Sequence, residues 1–134
     1  MMLTIDTNVL VRMLVQIDPG QGAIVRRLAA ANTLMILCSV LLETEWILRS
    51  IVKADAQSIN AMFRVLLKTQ GVIVDNSDNV RRVLDLHQAG MDFADAMHLC
   101  LSDEATTFVT FDRDLVRRAR RSLPSASVEL ADTL

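Results

Sequence analysis

The chain has no tyrosine and only four glycines, two prolines and two cysteines among its 134 residues. Each shortage closes off a class of protein. With so little glycine and no Gly-x-Gly-x-x-Gly, nothing is present to cradle a pyrophosphate, which excludes an ordinary dinucleotide enzyme. Cys38 and Cys100 lie in apolar stretches without metal-ligand spacing, the pattern of buried thiols in a reducing compartment. The five aromatics, Trp46, Phe63, Phe93, Phe108 and Phe111, all sit in apolar patterns. That placement argues against an exposed platform for base stacking and favours RNA-type ligands, if any, chosen by shape or by a loop. Lysine is nearly absent: of the 14 basic residues all are arginine except Lys53 and Lys68. The planar guanidinium suits phosphate and carboxylate, although a GC-rich coding sequence produces the same bias. The longest apolar run, Leu34 to Leu42 broken only by Ser39, falls far short of the roughly 20 residues of a membrane span. Asp6 interrupts the N-terminus before a signal-peptide core can form. A soluble, cytoplasmic protein is expected. The net charge of -2 says little about partners.

What is present is a globular composition, 51% hydrophobic, long enough to bury one core. Strand and helix signals alternate along it. Met2 to Ile5 predicts a strand and Thr7 to Val15 a helix, stopped by Asp18-Pro19-Gly20. Gln21 to Ala31 predicts a helix with Ile24, Leu28 and Ala31 on one face. Thr33 to Cys38 predicts strand two, with Ser39 as N-cap of a helix to about Val52. Asp55 caps the next helix, whose stripe is Ile59, Met62, Phe63 and Leu66. Gly71 ends it before a short strand, Val72 to Val74. Asn76 or Ser77 opens a helix to Gln88, closed by Gly90. Asp92 starts another helix, Thr106 to Thr110 is strand four, Asp114 caps a helix to Arg121, and Ser127 to Leu130 is strand five. Strands separated by helices imply parallel crossovers and a sheet covered on both faces. With no repeat and no linker, residues 1–134 read as a single α/β domain.

The acids fall at informative places in this pattern. Asp6 and Asp112 each follow a strand, at the sheet edge where ligands of open α/β folds bind. Glu43 lies one turn into the helix after strand two, and Asp95 in Asp92-Phe93-Ala94-Asp95. Oxygen donors without His or Cys at ligand spacing suit a hard cation, Mg²⁺ or Mn²⁺. His87 has no part in this scheme, and His98 reads as a helix-surface histidine. Glu43 and Glu45 stand about 200° apart on a helix, so only one faces a given site. Glu43, sharing its side with Trp46 and Ile47, is the expected one; Glu45 groups with Arg49 and Leu41. A plainer account exists for each acid alone. Asp6 caps a helix, Asp92 and Asp95 resemble a capping box, Asp112 initiates a turn, and Asp114 caps the last helix. Their joint order is what points to a metal site.

That order carries a resemblance. Leu3-Thr4-Ile5-Asp6-Thr7-Asn8-Val9-Leu10-Val11-Arg12, Leu42-Glu43-Thr44-Glu45-Trp46-Ile47-Leu48-Arg49, Asp92-Phe93-Ala94-Asp95-Ala96-Met97-His98 and Thr110-Phe111-Asp112-Arg113-Asp114 closely resemble PIN-domain ribonucleases. Within these the chain is most similar to VapC-type toxins of bacterial toxin–antitoxin modules. The resemblance implies a five-stranded parallel sheet of order 3-2-1-4-5 and a metal-dependent endoribonuclease. It places Asp6, Glu43, Asp95 and Asp112 on the family's acidic quartet, with Asn8 and Thr110 supporting, Asp92 and Asp114 flanking, and Glu45 as an ambiguous extra acid. It also implies a homodimer and a small VapB-like antitoxin that occupies the acidic groove.

An acidic pocket accepts a polyanion only where metal and nearby cations offset its charge. Arg12, Arg49, Arg113 and Arg117, with Arg118, Arg120 and Arg121, are the candidates for RNA phosphate contacts. A solvated helix face explains the same residues, and explains Arg120 and Arg121 better. Two other classes compete. A non-catalytic RNA- or protein-binding module of this fold needs no acidic quartet. A phosphatase using an aspartyl nucleophile normally has a second Asp two residues after the first, where Asn8 stands here.

Overall fold

The computed structural model describes all residues, 1–134. β1 (Met2–Thr4) leads into α1 (Thr7–Leu14), whose N-cap is Asp6: its backbone is extended, and Oδ1 accepts the Val9 N–H at 3.1 Å. α2 (Pro19–Ala31) begins at the segment expected to end a helix. Asp18 accepts the N–H groups of Gly20 and Gln21, and Pro19 takes the first turn, where its missing N–H costs nothing. The buried face of α2 is Gly22 and Val25, not the expected Ile24 and Ala31, which are exposed. α2 packs on α1.

β2 (Thr33–Ile36) pairs in parallel with β1 and with β3 (Val72–Val74), in the registers Leu3↔Leu34 and Met35↔Ile73. α3 (Cys38–Ser50) follows β2 directly, with Leu37 at the N-cap position and no side-chain cap, so Ser39 lies inside the helix. α4 (Ala56–Lys68) is capped by Asp55, whose Oδ1 accepts the Ser58 N–H at 2.7 Å. It buries Ile59, Phe63 and Leu66, three of the four expected stripe residues. α5 (Ser77–Gln88) and α6 (Phe93–Leu101) pack on each other, and the Phe63 and Phe93 rings meet edge to face at 5.4 Å. β4 (Phe108–Thr110), α7 (Arg113–Ser122) and β5 (Val128–Leu130) complete the chain before a closing 3-10 turn. Asp112, not Asp114, caps α7: Asp112 Oδ1 accepts from the N–H groups of Asp114 and Leu115 at 2.9 and 3.1 Å.

The expected five-stranded sheet is not formed. β1-β2-β3 make one parallel sheet and β4-β5 a second, with the 3-2-1 half of the order and the parallel sense as anticipated. β1 and β4 have three residues each; β1 pairs only with β2 and β4 only with β5, so the second edge of each carries no ladder. The halves are joined by side chains: one cluster of 25 buried residues runs from Ile5 and Leu10 through Phe63 and Phe93 to Leu115, Val116 and Val128. Burial of that apolar surface, not a continuous ladder, is the cohesive term.

Gly90 sets the entry to α6 with φ +107°, and a Cβ there would lie 2.9 Å from an Arg118 guanidinium nitrogen. Gly90→Ala is therefore expected to lower stability by about 1–3 kcal/mol. Urea unfolding checks it, and a variant as stable as wild type would contradict the backbone assignment at this turn.

Candidate acidic site

The site is assembled from residues at element starts. Asp6 follows β1, Asp112 follows β4, and Asp92 and Asp95 open α6. Asp92 caps α6, its Oδ2 accepting the Asp95 N–H at 3.1 Å. Thr110 Oγ1 accepts the Asp112 N–H at 3.0 Å, which holds the Asp112 backbone at the end of β4. Capping therefore does explain Asp6 and Asp92, as the plainer reading held, and also Asp112, which that reading made a turn residue. Yet the recorded cap of each uses one carboxylate oxygen and leaves the second, with the charge, for other work.

Asp95 is different: its carboxylate accepts no protein hydrogen bond, and it is half-buried. Burial pushes the Asp95 carboxyl above the usual carboxylate range, the negative charges of Asp92 and Asp112 push it further, and His98 opposes them. Asp92, Asp95 and Asp112 thus share one electrostatic neighbourhood. Asp6, exposed at the start of α1, borders a shallow cleft with Asn8, Arg12 and Gln21.

On α3 the two glutamates take the places opposite to those expected. Glu43 is exposed, whereas Glu45 is buried at 5% exposure and receives the Arg49 Nε at 2.8 Å. The physical cause is the stripe Leu41, Thr44, Glu45 and Leu48, spaced to face the core from one side of the helix. Glu45 and Asp92 both raise the pull on a proton at Arg49, and both act on His87 in the same sense. Glu45, not Glu43, is the glutamate on the inward stripe of α3. The pairing of Glu45 with Arg49 and Leu41 was legible in the sequence; which side looked inward was not.

His87 sits behind this group, buried, with burial lowering its pKa. The Asn60 side-chain amide donates to Leu84 O at 2.9 Å and lies 3.0 Å from His87 Nδ1, while Asn60 Oδ1 accepts from Arg64 Nε at 2.8 Å. A satisfied polar network of this kind braces α4 against α5.

The arginines are mostly engaged. Arg12 reaches Asn8 O and the Gln21 side chain, and Arg113 pairs with Asp132 at 3.3 Å. Arg117 and Arg118 both pair with Asp114. These partners are exposed, so each pair is worth little. His98 is exposed on α6, as expected. The aromatics depart from expectation: Trp46 is 52% exposed and Phe111 82% exposed, so not every aromatic serves the core. Nothing in an apolar run of the type Phe-Val-Thr-Phe signals where the strand stops and burial with it.

No three acid, histidine or cysteine side chains stand together as a ready-made metal cage. The donor chemistry nevertheless fits a hydrated Mg²⁺ or Mn²⁺, which takes one or two carboxylates and keeps several waters. Asp95 and Asp112 are carboxylates that could supply that much.

The PIN domain family model matches residues 3–121, and the chain belongs to this family, generally a nuclease fold that uses divalent metal ions. No curated protein matches the chain. No helix is long and apolar enough to cross a membrane.

Asp95 supplies a sign for pH dependence. Its folded pKa is raised, so the stability tied to its protonation is complete below the unfolded pKa and is lost as pH rises through the folded one. Asp95→Asn is accordingly expected to melt above the metal-free wild type at pH 7, with the difference shrinking as pH falls through the carboxylate range. Thermal melts in chelator over that range check it; a variant less stable at pH 7 would mean that the carboxylate is structural.

Proposed function

We propose that this protein is a divalent-metal-dependent endoribonuclease and the toxin of a VapBC-type toxin–antitoxin module. The observation that carries the reading is Asp95: a half-buried carboxylate without a hydrogen-bond donor, within the repulsive field of Asp92 and Asp112. A fold does not gain from such crowding, and a cation removes its cost. Asp95 and Asp112 hold the metal, with Asp6 approaching from α1 and Glu45 from α3. When bound, the ion supplies water activation and neutralises charge at the scissile phosphate. Thr110 and Asp92 position the ligands through their backbone bonds, Asp114 holds Arg117 and Arg118, and Asn8 lies beside Asp6 to orient a water or phosphate. Arg12, Arg113 and Arg117 exchange their exposed partners for RNA phosphates, while Arg49 is committed to Glu45. A small antitoxin placing a basic side chain among the acids would silence the site, and exposed apolar side chains such as Ile51 and Val65 offer surface for a homodimer.

The absence of a three-acid cage favours a second reading, a non-catalytic PIN-fold binding module. Activity separates the two. Purified protein should cleave RNA in Mg²⁺ or Mn²⁺ and stop in chelator. Asp95→Asn and Asp112→Asn, which preserve shape and capping, should each lose about 100-fold or more. Glu45→Gln should cost more than Glu43→Gln, reversing the order that helix position alone suggested. Full activity in both Asn variants would overturn the nuclease assignment, and the greater loss in Glu43→Gln would overturn the inward placement of Glu45.

A further inference from the structure

Phe111 is 82% exposed, whereas Phe63 and Phe93 are 1% exposed and Phe108 is half-buried. A phenyl ring left in water gives the core nothing, so packing does not account for it. Its support is firm on both sides. Thr110 ends β4 and its Oγ1 accepts the Asp112 N–H at 3.0 Å; Asp112 Oδ1 in turn fastens the first turn of α7 at 2.9 and 3.1 Å. The ring is therefore displayed from a pinned backbone. Immediately beyond it come the Asp112 carboxylate and the Arg113 guanidinium, the latter 76% exposed. Three consecutive residues thus present an apolar ring, an acid and a cation at one sheet edge. A nucleotide has the matching parts: a π-face, a phosphate that a cation bridges to carboxylate, and anionic oxygens.

We propose that Phe111 is a stacking platform for an unpaired nucleobase of the RNA, beside the Asp112 carboxylate and the Arg113 guanidinium. The inference rests on the nuclease reading. Bases in a duplex are already stacked and hidden, so only an unpaired base can lie on the ring. Its chain neighbours Thr110, Asp112, Arg113 and Asp114 are polar, unlike the depleted charge at the centre of a protein-binding patch. A phenyl ring is also tolerant of base identity, so this contact selects single strands without dictating sequence.

The test is cleavage of a single-stranded oligoribonucleotide of about 12 nucleotides, and of the same strand in a duplex, by wild type, Phe111→Ala, Phe111→Leu and Phe111→Tyr in Mn²⁺. Phe111→Ala and Phe111→Leu should raise KM for the single strand about 5- to 150-fold with kcat nearly unchanged, and Phe111→Tyr should restore it. A wild-type KM for Phe111→Ala, or equal rescue by Leu and Tyr, would overturn the stacking role. So would a KM effect accompanied by a change of oligomeric state in sedimentation, which would give the ring to a protein contact. If wild type does not cleave RNA at all, the nuclease reading fails separately. Indole fluorescence of Phe111→Trp in a Trp46→Phe background then decides: quenching by the single strand supports the platform, and no quenching overturns it.

Discussion

An aspartate whose side chain accepts backbone N–H groups begins five of the helices: Asp6 at α1, Asp18 at α2, Asp55 at α4, Asp92 at α6 and Asp112 at α7. Each cap contributes about 1 kcal/mol and satisfies donors that the helix itself cannot. The bond also fixes where the carboxylate sits, at the point where a strand or turn becomes a helix. Two of these caps, Asp92 and Asp112, act together on Asp95, so the interaction that starts α6 and α7 also gathers negative charge there, while Asp6 borders a cleft of its own with Asn8 and Arg12. Structural and functional explanations of these residues are accordingly not rivals. The cap holds one oxygen, and the field of the whole carboxylate remains.

Asp95 and Glu45 show what that field does to neighbours. Asp95 gives its N–H to the Asp92 cap while its own carboxylate accepts no protein hydrogen bond, and its proton is held more tightly because of burial and of Asp92 and Asp112. Glu45 takes the other solution open to a buried acid, a short ion pair with Arg49. Arg49 in turn feels Asp92, and His87, whose pKa burial lowers, feels Glu45 and Asp92 while its ring nitrogen meets the Asn60–Arg64 network. The acids and the α4–α5 packing are thus coupled through the field at His87, with an apolar cluster beneath them.

Much of this was legible in the sequence because its signals are local. The strands and helices follow from alternation of apolar runs and capping residues, and Gly71 and Gly90 end elements with positive φ. What was not legible depends on tertiary choices. Whether β1 and β4 pair depends on how closely helices from distant parts of the chain let them approach, and here each is paired on one edge only, with β2 and with β5. Asp18-Pro19-Gly20 punctuates equally well as a stop or a start, and Pro at a first turn made it a start. The inward face of α3 required accepting that an ionised residue lies on the buried stripe, which Glu45 does only because Arg49 is one turn away. Phe111 is exposed because the strand ends one residue before it, and no pattern in Phe108 to Phe111 marks that end.

The central claim is that carboxylates delivered by helix starts act together on one divalent cation. Paramagnetic broadening of amide resonances by Mn²⁺, added to the metal-free protein in small increments, tests it most directly, because it reports position without requiring turnover. The account predicts broadening that begins at Asp95, Asp112 and their chain neighbours and is reversed by chelator or excess Mg²⁺. Broadening centred instead on an unrelated acidic segment such as Asp103-Glu104, or none at all, would contradict it.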